Sequence, residues 1–162
     1  EADIFTGEFL QSWSVINEKN SLSSDQDFYP IIYGTGAALL VNKKKFLDLG
    51  GFHEIYSPAY WEDVDLCYRT KAAGYQIMYL PQFTVTHYKG ASVGIRKQSS
   101  DIAQASNETK LRMTALTTKA MALFYQKHLT RRYPWLVNVL VLTAIRLLGA
   151  IRLWRAKGRL RQ

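Results

Sequence analysis

Apolar and polar positions predict a series of short elements in the first half of the chain. Before Tyr29, polar and aromatic residues are mixed without a sustained period, so little regular structure is expected there. The apolar run at residues 37–42 is typical of a short buried strand. Residues 43–49 then predict a short helix, which the pair Gly50-Gly51 would end.

A longer helix between strands is predicted next. Ser57-Pro58 breaks the chain, and the pattern from Glu62 to about Ala73 predicts a helix that Gly74 can end in a left-handed conformation. Residues 75–80 and 83–87 predict two short strands. This alternation of strand, helix and strand indicates an α/β fold with a mixed sheet flanked by helices.

The last third of the chain predicts two helices. Residues 100–128 have a helical pattern, and Tyr133-Pro134 interrupts it. Residues 135–154 are strongly apolar, but Asn138, Arg146 and Arg152 interrupt them, so no unbroken run reaches the roughly 20 residues that span a bilayer. We therefore expect a helix on a membrane surface. A helix docked on its own domain or on a second subunit is the alternative.

The positive charge is concentrated in this helical tail. The 162 residues are 48% hydrophobic, which is typical of one globular unit, and the formal net charge is +8. Residues 1–108 hold 9 basic and 13 acidic side chains, whereas residues 109–162 hold 12 basic side chains and no acidic one. This charge predicts an anionic membrane surface as a partner. It does not predict nucleic-acid binding, because the basic tail is apolar and has no recognisable binding motif.

The segment Trp61-Glu62-Asp63-Val64-Asp65 is the strongest candidate for chemistry. It sets three carboxylates at the start of the predicted helix, where unpaired N–H groups and the helix dipole favour acidic side chains. The pattern alone therefore also fits ordinary helix capping. Asp65 either caps the helix or pairs with Arg69 four residues on. Cys67, the single cysteine, predicts a buried reduced thiol, which fits a cytoplasmic compartment.

Four other motifs surround this segment in a fixed order. They are Tyr33-Gly34-Thr35-Gly36 with the apolar run after it, Gly50-Gly51-Phe52-His53-Glu54, Ala73-Gly74-Tyr75 with Tyr79-Leu80-Pro81, and Val85-Thr86-His87-Tyr88-Lys89-Gly90-Ala91-Ser92. Over residues 30–95, the chain resembles the C-terminal half of inverting family 2 glycosyltransferases, especially the bacterial rhamnosyltransferase-like group. The resemblance implies a partial GT-A-like fold with a helical, basic C-terminal tail.

The resemblance assigns roles to the central segment. It implies that Asp63 is the catalytic base, which takes the proton from the acceptor hydroxyl during inverting transfer. Glu62 and Trp61 would contact the acceptor or the donor. Gly34, Thr35 and Gly36 would line the same pocket through a close backbone approach, although a tight turn without a ligand explains these glycines equally well.

The later motif would approach the donor diphosphate. The resemblance implies a metal or diphosphate contact for His87, for which a structural role is the alternative, and phosphate contacts for Lys89 and Ser92. Two positions depart from the family pattern. His53 stands where the family usually has an aspartate, so no role is carried over to it, and Tyr88 stands where a second histidine often follows.

A divalent cation, Mg²⁺ or Mn²⁺, is the cofactor that the resemblance implies. The family holds it with an Asp-x-Asp motif after an apolar strand; Asp25-Gln26-Asp27 has the spacing but follows a polar loop. We expect the metal aspartates and the nucleotide-binding half upstream of Glu1. Residues 1–99 would then be the acceptor-side half of the enzyme domain, and residues 100–162 the helical region that binds the membrane.

The predicted function is transfer of a sugar, with rhamnose as the candidate, from a nucleotide-diphosphate donor. The acceptor would be a lipid-linked molecule or a polysaccharide in bacterial cell-envelope glycan synthesis. The expected location is peripheral, on the cytoplasmic face of the inner membrane. An incomplete sheet exposes an unpaired edge, so a homo-oligomer is considered as well. The alternative function is a non-enzymatic basic module that recruits a membrane or a protein partner.

Overall fold

The computed structural model describes residues 29–80 and 105–160. In chain order, its strands and α-helices are β1 (Tyr29–Ile31), α1 (Lys43–Asp48), α2 (Glu62–Ala72), β2 (Ile77–Tyr79), α3 (Asn107–His128) and α4 (Trp135–Arg159). Short 3-10 helices span Gly36–Ala38, Glu54–Tyr56 and Thr130–Arg132. The predicted strand at residues 83–87 and the loop around Asp25-Gln26-Asp27 lie outside the described residues.

The described part of the chain is mostly helical and has a small antiparallel sheet. β1 pairs with β2, and Tyr29 lies opposite Tyr79 while Ile31 lies opposite Ile77. Strand β2 falls within the predicted strand at residues 75–80. This arrangement is compatible with the predicted α/β fragment, although it consists of two strands where a larger mixed sheet was expected.

The strand predicted at residues 37–42 is wrong. Gly36–Ala38 forms a 3-10 helix whose first turn is capped by Thr35, because the Thr35 hydroxyl accepts a hydrogen bond from the Ala37 N–H. The residues after it do not pair with β1 or β2, the strands of the described residues, and Leu40 is 93% exposed. Asn42 then caps α1 by accepting the Lys45 N–H, which turns the end of this run into a helix start.

The ends of α1 and α2 are confirmed. Gly50 follows α1 at φ 83° and Gly74 follows α2 at φ 81°, so both glycines adopt the left-handed conformation that ends a helix at low cost. Arg69 of α2 connects the two helices, because its guanidinium donates to the backbone carbonyls of Leu49 and Gly51.

Helices α3 and α4 pack against each other across a short turn. Asn138, which interrupts the apolar pattern of α4, accepts a hydrogen bond from the Tyr125 hydroxyl over 2.8 Å and donates to the carbonyls of Thr130 and Tyr133. Further along, Gly149 lies so close to Thr118 that an added Cβ would be 2.7 Å from the Thr118 methyl group. One face of α4 is thus docked on the domain, as the alternative prediction proposed.

The remaining surface of α4 is apolar and exposed. Seven of its large hydrophobic side chains are at least 48% exposed: Trp135, Leu136, Val139, Leu140, Leu147, Ile151 and Trp154. The helix is 25 residues long and its most apolar window has a mean hydropathy of 1.9, so it could cross a membrane by length and composition alone. The sequence-based prediction did not foresee this, because it treated Arg146 and Arg152 as limits to the apolar stretch.

Candidate active site at the start of helix α2

Helix α2 begins after two residues with strained backbones. Tyr60 and Trp61 have φ values of 81° and 74°, in the left-handed region that residues with side chains rarely adopt. The Trp61 indole is buried and packs on the Phe124 ring, with ring centroids 5.1 Å apart. This packing holds the chain in the unusual conformation and fixes the direction in which Glu62 and Asp63 leave the turn.

The Asp63 carboxylate connects α2 to the Tyr33-Gly34-Thr35-Gly36 loop. Its Oδ2 accepts hydrogen bonds from the Tyr33 hydroxyl over 2.6 Å and from the Gly36 N–H over 3.0 Å. Its Oδ1 accepts the Val64 N–H over 2.8 Å. Two of the motifs that the sequence singled out therefore meet at one half-buried carboxylate.

This geometry differs from ordinary helix capping. The N-cap position of α2 is Trp61, which makes no side-chain cap hydrogen bond. Asp63 instead bonds through Oδ2 to groups 27 and 30 residues away in the chain. Asp63 therefore satisfies one first-turn amide of α2 through Oδ1, and its Oδ2 also joins α2 to the glycine loop, which an ordinary cap does not do.

Tyr33 had no role in the sequence-based prediction. Burial, and then the charge of Asp63, raises the pKa of Tyr33 above its ordinary value. Its hydroxyl therefore keeps its proton across the physiological range and stays a hydrogen-bond donor to Asp63. Its position at the head of the Gly-Thr-Gly motif was the available signal.

The Gly34-Thr35-Gly36 backbone approaches α2. The Gly34 N–H contacts the Cys67 sulfur over 3.4 Å, and a Cβ at Gly36 would be 3.5 Å from the Asp63 Cβ. Cys67 is buried and free of disulfide bonds, as predicted, and burial raises the pKa of its thiol. The backbone of Gly34 and Gly36 thus makes the predicted close approach, and the surface that it approaches is helix α2.

Glu62 provides a second carboxyl group at the start of α2, next to Asp63. Burial, and then the neighbouring Asp63, raises the pKa of Glu62. Within the described part of the chain, its buried Oε2 has no hydrogen-bond partner. A carboxyl group that is partly desolvated and incompletely bonded, next to Asp63, is suited to contact a polar ligand.

Asp65 has a different environment from Asp63. It is fully buried, and its Oδ1 accepts hydrogen bonds from the Lys127 ammonium over 2.8 Å and the Tyr56 hydroxyl over 3.1 Å. Oδ1 is also 2.6 Å from His128 Nε2, and Oδ2 accepts the Arg69 Nε–H over 2.7 Å. The predicted pair with Arg69 is confirmed, whereas capping by Asp65 is not observed.

The Asp65 network anchors the first turn of α2 to the end of α3. Burial by itself raises the pKa of Asp65, but the hydrogen bonds from Lys127, His128 and Arg69 outweigh burial and lower that pKa to about 2. The sequence-based prediction missed Lys127, His128 and Tyr56, because the first two lie 62 and 63 residues from Asp65 and no local pattern joins them.

Other predicted site residues are less informative. His53 precedes the 3-10 helix Glu54–Tyr56 and makes no side-chain cap hydrogen bond. Predicted ligands His87, Lys89 and Ser92 lie outside the described residues. Within residues 29–80 and 105–160, no three His, Cys, Asp or Glu side chains are grouped to hold a metal ion, so these residues alone do not form the predicted cation site.

An apolar cavity of about 200 Å³ adjoins the start of α2. Trp61 contributes one wall, Phe124 and Tyr125 of α3 another, and Val137, Val141 and Ile145 of α4 a third. Trp61 therefore lies between Asp63 and this cavity. Its predicted contact with the acceptor or the donor remains a prediction.

Comparison with known proteins identifies similar sequences over part of the chain. The chain is 39% identical over 80 residues to N-acetylglucosaminyl-diphospho-decaprenol L-rhamnosyltransferase of Mycobacterium tuberculosis, which covers 49% of the chain and 25% of that protein. It is 36% identical over 70 residues to rhamnosyltransferase WbbL of Escherichia coli K12, which covers 43% of the chain and 25% of that protein.

A third match is uncharacterized protein y4gI of Sinorhizobium fredii, 33% identical over 60 residues, which are 37% of the chain and 7% of that protein. No family model and no solved structure matches the chain. The matched part of the chain corresponds to about a quarter of the length of the rhamnosyltransferases. These similarities support a glycosyltransferase-like relationship for this chain.

Proposed function

We propose that this chain forms the acceptor-side part of an inverting glycosyltransferase of family 2 with a GT-A-like fold. It transfers a sugar from a nucleotide-diphosphate donor to a lipid-linked or polysaccharide acceptor in bacterial cell-envelope synthesis. Rhamnose is the candidate sugar, because two similar proteins are named as rhamnosyltransferases. The observation that carries the proposal is the Asp63 carboxylate, held at the start of α2 by Tyr33 and Gly36.

Asp63 acts as the general base in this proposal. The acceptor hydroxyl oxygen forms a bond to the anomeric carbon while the bond from that carbon to the diphosphate oxygen breaks. The electron pair of the broken bond leaves with the nucleoside diphosphate, and the hydroxyl proton passes to Asp63. Attack opposite the leaving group inverts the anomeric configuration.

The hydrogen bonds around Asp63 determine which oxygen takes the proton. Oδ2 holds two donors, Tyr33 and Gly36, whereas Oδ1 holds the adjacent Val64 N–H. Oδ1 is therefore the oxygen with more accepting capacity left for an acceptor hydroxyl. These hydrogen bonds also keep Asp63 in one position. A small displacement of the base would lower the rate of transfer.

Neighbouring residues complete the proposed site. Glu62 is assigned to the acceptor because it lies next to Asp63 and its buried Oε2 has no hydrogen-bond partner among the described residues. His87, Lys89 and Ser92 would contact the donor diphosphate, and a divalent cation would supply positive charge that stabilises this leaving group. These assignments extend the sequence resemblance, and no step of the mechanism above depends on them.

We further propose that α4 lies on the cytoplasmic surface of the inner membrane. Its exposed apolar side chains and the basic residues Arg155, Lys157 and Arg159 suit an anionic interface. A spanning orientation would take α3 into the bilayer as well, since α3 packs along α4. Helix α3 carries Lys110, Arg112, Lys119 and Lys127, which are costly in a hydrocarbon core.

The test is sugar transfer by the full-length protein with a panel of nucleotide sugars, Mg²⁺ or Mn²⁺, and lipid-linked acceptors. We expect one donor to give a product of inverted anomeric configuration. Absence of both transfer and nucleotide-sugar binding across the panel would instead favour the non-enzymatic binding module.

A further inference from the structure

We propose that the apolar cavity between α3 and α4 holds the hydrocarbon chain of a lipid-linked diphosphate acceptor, and that Arg131 and Arg132 contact its diphosphate. This inference rests on the proposed function and specifies the acceptor class. It assigns a binding role to residues outside the Glu62-Asp63 motif.

The cavity has the composition of a hydrocarbon site. Its walls are aromatic and aliphatic side chains, including Trp61, Phe124, Val141 and Ile145. An apolar cavity of roughly 150 Å³ can stay dry and bind a small hydrocarbon such as benzene. A volume of about 200 Å³ is therefore sufficient for a segment of a longer apolar chain.

The cavity continues into the exposed face of α4. Val137 lines the cavity and is 37% exposed, so the cavity opens along this helix. Leu136 and Leu140 follow the next stripe, about 100° around the helix from Val137 and Val141, and are 57% and 70% exposed. A hydrocarbon chain that leaves the cavity would therefore meet the surface that we assign to the membrane.

Positive charge lies at the same end of the cavity. Leu129 and Tyr133 line the cavity, and the 3-10 helix between them contains Arg131 and Arg132, both exposed. The Arg132 guanidinium is 5.5 Å from the centre of the Tyr68 ring, which orients it toward α2. Residues 109–162 contain no acidic side chain, and the buried Asp65 carboxylate near the end of α3 is already paired with Lys127 and Arg69.

One residue that lines the cavity is also close in sequence to the proposed base. Trp61 forms part of the wall, and Asp63 follows it by two residues at the start of α2. In this proposal, the hydrocarbon chain of the lipid lies in the cavity and its diphosphate lies near Arg132. The sugar of its headgroup would then face Asp63 at the start of α2. Charge complementarity and this placement favour a lipid diphosphate over an apolar peptide as the occupant.

The test measures binding of fluorescently labelled farnesyl diphosphate to the full-length protein without a sugar donor. Val141→Trp fills the cavity, and Val137→Trp fills its more exposed end if the first variant does not fold. Leu147→Trp is the matched control, because it adds the same side chain at an exposed position of α4 that does not line the cavity. We expect the filling variants to weaken binding by about tenfold or more and the control to change it by less than about twofold.

Competition separates the two halves of the ligand. Arg131→Gln with Arg132→Gln should weaken farnesyl diphosphate binding and leave binding of farnesol unchanged, while inorganic diphosphate should compete weakly. Equal binding by wild type and both filling variants, or no binding by wild type, would overturn the inference. Because no donor is present, failed sugar transfer leaves this result intact, and transfer to a water-soluble acceptor tests the proposed function separately.

Discussion

The Tyr33 hydroxyl donates a hydrogen bond of 2.6 Å to Oδ2 of Asp63, and this bond joins residues that are 30 positions apart. The Gly36 N–H reaches the same oxygen. Together these two donors hold one face of the carboxylate against the glycine loop and leave Oδ1 for other contacts. We infer that Tyr33 is a positioning residue for the proposed base.

Replacement of Tyr33 by Phe should lower turnover strongly and the free energy of unfolding only slightly. The variant loses the hydroxyl that orients Asp63, so we expect sugar transfer to fall by about ten- to a hundredfold. The free energy of unfolding should fall by only about 1 kcal/mol, as for one hydrogen bond. Steady-state kinetics with donor titration and a denaturant series measure both quantities. A turnover equal to that of wild type would show that Asp63 does not need this donor.

Asp65 should contribute stability that disappears in acid. Its pKa is lowered from 3.8 to about 2 in the folded protein. A lowered carboxyl pKa stabilises the fold above the unfolded pKa, and that contribution is lost as pH falls through the folded value. The expected contribution is about 2 kcal/mol at neutral pH, lost between about pH 5 and pH 1.

The measurement is the free energy of unfolding of wild type and Asp65→Asn from pH 7 to pH 2. The variant should be about 3–5 kcal/mol less stable at pH 7, since it leaves Lys127 and Arg69 without their buried counter-ion. The difference should narrow in acid. A difference that stays constant across this range would contradict the charge network described here.

Gly149 should control how closely α3 and α4 pack. Ala at this position would set its Cβ 2.7 Å from the Thr118 methyl group, so the Thr118 side chain or one of the two helices must shift. We expect Gly149→Ala to destabilise the protein by about 1–3 kcal/mol through overpacking. Gly158→Ala is the matched control in the same helix, because its added Cβ has no neighbour within 4 Å among the described residues. Thermal unfolding should show no loss for the control.

Membrane binding should depend on the basic end of α4. Changing Arg155, Lys157 and Arg159 to Gln removes about 1 kcal/mol each near an anionic surface. Affinity for vesicles with anionic lipid should therefore fall by about a hundredfold. Vesicle co-sedimentation measures it, and changing Lys43, Lys44 and Lys45 to Gln is the control with the same loss of charge. Equal losses in both triple variants would indicate attraction by net charge rather than by α4.

Local signals explain which parts of the fold were predictable. Helices α1 and α2 were recognised from their patterns and from Gly50 and Gly74, whose left-handed conformations end them. The strand at residues 37–42 was wrong because an apolar run does not reveal whether a sheet partner exists, and Leu40 is exposed here. Helix termini are local features, whereas burial of a strand depends on the whole fold.

The candidate site shows the same limit. The Glu62-Asp63 motif was visible in the sequence, and so was the Gly34-Thr35-Gly36 loop, but the contact between them is a tertiary feature. The resemblance singled out Asp63, and the spacing paired Asp65 with Arg69, but no local pattern predicted the burial of Asp65 against Lys127 and His128. The sequence therefore identified the region and predicted different roles for the two carboxylates, while most of their contacts are tertiary features that the sequence did not predict.

The central claim is that Asp63 is the base, and sugar transfer by the full-length Asp63→Asn protein tests it most directly. Asp48→Asn is the matched control, because Asp48 is an exposed carboxylate paired with Lys44 at the surface. We predict that Asp63→Asn lowers turnover by at least about a hundredfold, with unchanged folding and donor affinity, and that the control keeps wild-type turnover. A folded Asp63→Asn protein with normal transfer would contradict the account.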